Sequence, residues 1–358
     1  MNSQDGFAVL SIRKGFERHH VSYDIILGIE NEFVKECGAD LVCIDPENCA
    51  SNRANQAAGT ESLVDDKAVK ELEDASFVFY ATMSDNDLKI HLNTLKAIHD
   101  KLIIYLIDCW VPLWDEHEKI LSEIDPLCVC FAYKKSAQHF DGRLNSKVIE
   151  LPQSVDLEVF HPHEVERSRL FIQIGRKNKM LHEGALEYLK KRGMPSRDKN
   201  YAYQRVGSDY WKNAMLRPFH TASNFLKYRS AAMLAFPSMT EVSLEISRSM
   251  FSLCAPQCVD NFQKTGDISE VTPRYYEIMA CKSIPVGIKP LDTFDELFPY
   301  EDAMIEVNAD NFDDVISNLA ADPDRYSKIV ETNYDYVLKH HRWKHRYEYM
   351  MNILKTGG

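Results

Sequence analysis

The chemistry-bearing residues of this chain gather in one run: Thr272-Pro273-Arg274-Tyr275-Tyr276-Glu277-Ile278-Met279-Ala280-Cys281-Lys282-Ser283-Ile284-Pro285-Val286. Its pattern predicts a loop, a short helix with an acid in its first half, a small-residue turn and the start of a strand. A helix N-terminus presents backbone N–H groups that lack intrahelical partners, which suits a phosphate. A carboxylate one turn in, here Glu277, can hold ribose hydroxyls. The plainer reading is an ordinary glutamate in a first helical turn, favoured there by the helix dipole.

Two segments upstream bear on that choice. Leu170-Phe171-Ile172-Gln173-Ile174-Gly175-Arg176-Lys177-Asn178-Lys179 reads as a strand delivering a glycine and then basic residues. Gly175 lets a ligand approach the backbone closely, and Arg176 can fork onto phosphate oxygens and offset a leaving diphosphate. Leu151-Pro152-Gln153-Ser154-Val155-Asp156-Leu157-Glu158-Val159-Phe160-His161-Pro162 reads as a strand end, a turn and an apolar Phe160 that docks a linker.

In the first half, Lys14-Gly15-Phe16-Glu17-Arg18-His19-His20 follows the first strand, and His19 and Arg18 beside it can stabilise phosphate or position an acceptor hydroxyl. Asp108-Cys109-Trp110 ends the fourth strand. There Asp108 can orient or deprotonate a hydroxyl, and Trp110 or Trp114 can stack on a sugar ring. No metal site is expected. Cys254 and Cys258 have metal-like spacing but lack a second pair and nearby histidines, and Asp85-Asn86-Asp87 begins a helix in the other half. His341 and His345, four apart on one expected helix face, have no carboxylate-rich partner.

These residues must be positioned by an alternation of apolar strands and amphipathic helices. Strands are expected at 8–12, 40–44, 77–81, 102–107, 128–133 and 146–151, with helices at 25–37, 65–73, 85–100 and 116–124. The strands are apolar throughout, as in strands buried on both faces of a parallel sheet. A second set follows: strands at 170–174, 203–206, 233–237, within 250–255 and at 283–288, with helices at 182–192, 220–232, 243–249 and 312–320. A long helical stretch over 323–354, broken near His340, closes the chain. The expected fold class is α/β: two doubly wound, Rossmann-like domains facing a cleft at the carboxyl ends of their strands, where such sheets bind ligands. The boundaries are 1–151 for the first domain, 152–166 for the linker and 167–336 for the second, with 337–358 crossing back.

The 358 residues suit two domains rather than one core. With 42 Lys and Arg against 54 Asp and Glu, the net charge is −12, which argues against general nucleic-acid binding. No apolar run reaches the roughly 18 residues of a spanning helix, and the N-terminus does not read as a signal peptide. The nine cysteines are scattered, an odd count that favours reduced thiols in a cytoplasmic protein. No Gly-x-Gly-x-x-Gly follows the first strand, which disfavours a nicotinamide dehydrogenase.

In order along the chain, the linker, the Gly-Arg strand and the Glu277 helix resemble those of retaining glycosyltransferases with the GT-B fold. The linker is similar to a P-N-G-V-D-x-x-x-F-x-P pattern, with Gln153-Ser154 in place of Asn-Gly and Asp156, Phe160 and Pro162 matching. Gly175 and Arg176 match the strand end, and Lys179 stands for the lysine that follows. The Glu277 helix resembles the second half of an E-x7-E motif. Glu277 is its ribose-binding acid, Lys282 replaces the usual Gly, and Ser269, with Glu270 one residue late, stands where the first acid belongs. Gly15, Glu17, Arg18 and His19 match a G-G-x-E-R-H loop, and Trp343-x-x-Arg346 a crossover helix. Thr272-Pro273-Arg274 is similar instead to an exostosin-like group that inverts the anomeric centre; Arg274 would then be a second cation over the diphosphate.

The resemblance implies a metal-independent transferase, retaining or inverting. It would move a sugar from a UDP-, GDP- or similar nucleotide sugar to the hydroxyl of a glycan or small-molecule acceptor, in surface polysaccharide or other glycan synthesis. It makes Gly175, Arg176, Lys179, Arg274, Tyr275 and Glu277 donor-binding residues, and His19, Asp108 and Arg176 catalytic ones, with no cofactor beyond the donor. Peripheral contact with the inner face of a membrane fits the basic stretch His340–Arg346. A nucleotide-sugar or glycan-binding module without catalysis, or a sugar-nucleotide epimerase of the same fold, would share these features. The sugar, the base, the acceptor and the oligomeric state are not encoded legibly.

Overall fold

The computed structural model describes residues 6–12, 23–175, 177–195, 200–204, 239–257 and 262–356. The loop Lys14–His20 with His19, the single residue Arg176, residues 205–238 with the helix and strand expected there, and Cys258 lie outside the described residues.

Two parallel sheets form the frame. The first contains β1 (Phe7–Ser11), β2 (Asp40–Cys43), β3 (Phe77–Thr82), β4 (Leu102–Leu106), β5 (Cys128–Phe131) and β6 (Lys147–Glu150), in the order β2-β1-β3-β4-β5-β6. The second contains β7 (Arg169–Ile174), β8 (Tyr201–Gln204), β9 (Ser249–Cys254), β10 (Ile284–Gly287) and β11 (Ile305–Glu306), in the order β11-β10-β9-β7-β8. Each sheet therefore reverses its strand order beside its first strand: between β1 and β3, and between β7 and β9. The carboxyl ends of those strands flank the crevice where doubly wound sheets take ligands.

The apolar character of the strands explains the layering. β4, Leu-Ile-Ile-Tyr-Leu, is buried along its whole length. Alternate residues feed opposite cores: Leu10, Tyr80, Ile104 and Phe131 pack on one face, and Val9, Phe79, Ile103 and Tyr105 on the other. Helices cover both faces of the first sheet: α1 (Tyr23–Cys37), α2 (Pro46–Ala57), α3 (Asp66–Glu71), α4 (Asp85–Ile90), α5 (Leu92–Ala97), α6 (Trp114–Ile124) and α7 (Lys134–Phe140). Around the second sheet lie α8 (Lys179–Lys191), α9 (Met239–Ser247), α10 (Pro273–Ala280), α11 (Phe294–Leu297), α12 (Phe312–Ala320) and α13 (Pro323–His340), and α14 (Trp343–Thr356) follows them.

Helix α2 is absent from the periodicity because its residues are mostly polar. Its signal is in the cap: the Asp45 side chain accepts from the Glu47 N–H, and Pro46 opens the first turn. The single helix expected over 85–100 divides at His91, whose buried ring packs edge-on against Tyr80.

The chain passes between the sheets twice, and the two passages run side by side. Val155 of the linker forms a parallel bridge with Arg342, in the break between α13 and α14. That break separates His341 from His345, so the two histidines do not share a helix face. Helix α14 then crosses back and buries Trp343, Tyr347, Met350 and Met351 among Phe7, Phe33, Phe79 and Tyr105 of the first sheet. Arg346 holds the crossing. It donates from Nε to the Pro152 carbonyl at 2.8 Å and from Nη2 to the Gln153 carbonyl at 3.2 Å, with Nη2 also 2.9 Å from His341 Nδ1. Burial, and then the Arg346 charge, push His341 down to about 3. The neutral ring thus accepts at Nδ1 and donates from Nε2 to the Leu297 carbonyl at 2.9 Å.

Candidate functional site

Helix α10 is assembled as its sequence requires. Pro273 takes the first helical position, where a missing N–H costs nothing. Thr272 precedes it in extended conformation without a side-chain cap bond. At the other end Lys282 has φ +58°, and two backbone bonds close the helix: Lys282 N–H to Met279 O at 3.0 Å and Ser283 N–H to Ile278 O at 3.1 Å. A side chain in that conformation costs about 1–2 kcal/mol, which is why glycine is usual there. Here Lys282 pairs with Glu331 at 2.6 Å and lies 4.6 Å over the Tyr334 ring, contacts that offset part of the cost. The turn delivers β10 directly beside β9.

Glu277 is the buried acid of this helix, its side chain only 5% exposed. Arg274, one turn earlier, places Nη1 2.9 Å from Glu277 Oε2. The contact is an ion pair without hydrogen-bond alignment, so these two buried atoms have no hydrogen-bond partner among the described residues. Burial raises the Glu277 carboxyl above its ordinary value, and Arg274 opposes the rise. Glu277 and Pro273 line a cavity of about 310 Å³ between the sheets. Its other walls are Gly28 and Asn31 of α1, Ser154, Asp156 and Phe160 of the linker, Met239 of α9, and Trp343. Buried Ser154 Oγ also lacks a hydrogen-bond partner among the described residues. The cavity is thus mainly apolar, with a few polar groups of unfilled hydrogen-bonding capacity, the character of a small-molecule site.

The other residues singled out by sequence fall in different places. Gly175 ends β7 with φ +87°, and a Cβ there would meet nothing within 4 Å, so backbone conformation rather than crowding calls for glycine. Lys179 opens α8 with its side chain 84% exposed, 3.9 Å from Glu183. Tyr275 is fully buried and donates to the Ile288 carbonyl at 2.9 Å, bracing the end of β10 rather than lining the cavity. Asp108, past the end of β4, accepts from the Tyr133 hydroxyl at 3.2 Å. Trp110 stacks on Tyr133 at 4.5 Å and Trp114 on His139 at 4.0 Å, so each has one face already engaged. Among the described residues no three His, Cys, Asp or Glu side chains converge as a metal set.

The positions expected to hold a first acid do something else. Ser269 N–H donates to Asp292 Oδ2 at 2.7 Å, and its hydroxyl accepts from Leu291 N–H at 3.2 Å. Glu270 reaches across the cleft: Oε1 accepts from the Lys134 backbone N–H at 3.0 Å, at the start of α7, and Oε2 accepts from the Thr293 hydroxyl. Burial pushes its carboxyl up to about 7. Around it Lys134 pairs with Glu296 at 2.5 Å, Lys135 pairs with Asp292 at 2.9 Å, and Ile268 enters the first domain's core. Gly266, at φ +61°, permits the close approach, since a Cβ there would lie 2.3 Å from Val111 Cβ. Sequence reading missed this bridge because its partners are more than a hundred residues apart; the usable signal was the unexplained Gly-Asp-Ile-Ser-Glu run at 266–270.

Residues 196–352, somewhat less than half of the chain, match the family described as glycosyl transferase-like. No curated protein is similar to it by sequence. Solved structures are similar in fold. A point mutant of S. aureus TarM in complex with Fondaparinux, alpha-GlcNAc-glycerol and UDP superposes with a TM-score of 0.50 and 11% identity, over 80% of this chain and 58% of that one. The N-terminal domain of Candida albicans trehalose-6-phosphate phosphatase superposes with a TM-score of 0.53 and 9% identity, over 98% of both chains. The chain spans 57% of a TarM chain and 59% of a GtfA/B chain, so it covers less than two thirds of these relatives. The two facing parallel sheets and the returning C-terminal helix are the GT-B architecture that the motifs implied.

Proposed function

We propose that this chain is a glycosyltransferase that moves a sugar from a nucleotide diphosphate sugar to an acceptor hydroxyl. The observation that carries the reading is buried Glu277, with hydrogen-bonding capacity to spare, on the wall of a cavity between the domains, with the Arg274 guanidinium 2.9 Å behind it on the same helix. It lies inside the segment that matches the transferase-like family. Glu277 accepts the ribose hydroxyls. Arg274, Arg176 and Lys179 offset the diphosphate charge as it departs, with Gly175 allowing backbone approach at the end of β7. Tyr275 keeps the end of β10 in place beneath them. His19 and Asp108 serve the acceptor, Asp108 orienting its hydroxyl from the first domain. The Val155–Pro162 linker and Gly175-Arg176 resemble retaining members, so retention is the stereochemistry we assign. The acceptor is a glycan or small molecule, and the setting a cytoplasmic one.

A second reading is a nucleotide-sugar-binding module without turnover. The engagement of Ser269 and Glu270 in the domain bridge favours it, since the usual first acid is spent on structure. A thermal-shift screen across nucleotides and nucleotide sugars tests both. Specific binders raise the melting temperature by mass action, and slow release of free sugar from the bound donor separates the transferase from the binder. No shift with any nucleotide would overturn the whole reading.

A further inference from the structure

The Arg274–Glu277 contact has a feature that neither charge offset nor ribose binding explains. The two groups neutralise each other at the edge of the site: Glu277 lines the cavity, and Arg274 stands beside it one turn earlier on the same helix. Nη1 and Oε2 are 2.9 Å apart but not aligned as a hydrogen bond, and both atoms are buried. Among the described residues no other carboxylate pairs with Arg274. Its side chain keeps 23% exposure while that of Glu277 keeps 5%, so the arginine is the member with room to turn. It also stands near Cys254 at the carboxyl end of β9, the strand beside β7 and Gly175.

We propose that Arg274 is a specificity-determining residue that makes the site read a whole nucleoside diphosphate rather than its parts. In the empty site Arg274 rests on Glu277. A diphosphate offers a guanidinium more charge and bidentate geometry than one misaligned carboxylate does, so it draws Arg274 away. That movement exposes Glu277, whose buried charge then needs new donors. The two vicinal hydroxyls of a ribose supply them. A nucleoside alone must share Glu277 with Arg274, and inorganic diphosphate alone leaves Glu277 buried and unpaired. This rests on the nucleotide-site reading given above.

The test is calorimetric binding of UDP and GDP, of uridine and guanosine, and of inorganic diphosphate, to the full chain and its variants. For the base that binds, Arg274→Gln should weaken the nucleoside diphosphate by about tenfold or more, the value of one charge-assisted contact. Nucleoside affinity should stay within about threefold, because the competitor for Glu277 leaves with the phosphate ligand. Arg274→Gln leaves a buried acid unpaired and can impair folding. Arg274→Gln/Glu277→Gln removes both charges and should show the same loss of preference for the diphosphate. If Arg274→Gln weakens nucleoside and nucleoside diphosphate equally, or changes neither, Arg274 is structural and the proposal falls while the nucleotide site stands. If the unaltered protein binds no nucleotide at all, the functional reading falls and this proposal with it.

Discussion

Glu270→Gln should stabilise the protein by an amount that grows as pH rises from about 4.5 to about 7. Glu270 is 4% exposed and accepts two hydrogen bonds, from the Lys134 backbone and from Thr293. Glutamine preserves both: its carbonyl accepts from Lys134, and its amide donates to the Thr293 oxygen. What it removes is the ionised state. Burial, reinforced by Asp292 and Glu150, raises the carboxyl from 4.5 to about 7 against the pull of Thr293 and the Lys134 N–H. A raised acid favours the folded state fully below pH 4.5, and that contribution is lost as pH rises through about 7. At about 1.4 kcal/mol per pH unit between the two values, the loss approaches ~3 kcal/mol. Urea midpoints should therefore agree between wild type and variant at about pH 4, and the variant's lead should grow between about pH 4.5 and 7 and then level off. Glu32, also raised by burial to about 7, tilts both curves alike and cancels in their difference. Two curves that run parallel, or a variant weaker at every pH, would refute the assignment of Glu270 as a buried, reluctantly ionised bridge.

Gly287→Ala should cost at least ~3 kcal/mol, in the range of severe core strain. Its Cβ would lie 1.9 Å from the Cys254 carbonyl oxygen, and the glycine has φ +151°; collapse of soluble yield or of the second domain's thermal transition checks this. Arg346→Ala should cost about 3 kcal/mol by leaving the Pro152 and Gln153 carbonyls and His341 without their donor. Arg346→Lys should recover less than half of that, because one ammonium nitrogen cannot reach acceptors that the guanidinium serves from two separate nitrogens, Nε and Nη2. Thermal unfolding measures the loss, and faster limited proteolysis within 152–166 would locate it at the crossing.

Most of the frame was legible because it is written in local patterns. Apolar runs such as Leu102–Leu106 announce strands buried on both faces, and their alternation with amphipathic helices dictates a parallel sheet. Pro273 and Glu277 mark a helix and its acid by spacing alone, whereas the pairing of Arg274 with Glu277, three residues apart on one helix face, came from the structure. The polar helix α2 escaped because periodicity needs an apolar stripe to read.

What the sequence determined by itself was the identity and order of the linker, the Gly175-Arg176 strand end and the Glu277 helix. What only the tertiary structure decided was their company. Gly28, Ser154 and Trp343 share a cavity with Glu277 although they are far apart in the chain. Glu270, one residue past the expected place of the motif's first acid, is spent on holding Lys134 and Thr293 instead. Short-range patterns encode an element, its face and its ends. Which groups meet across a cleft depends on closing loops of a hundred residues or more, and the packing of α14 and the 266–270 segment settles that only when both domains are in place.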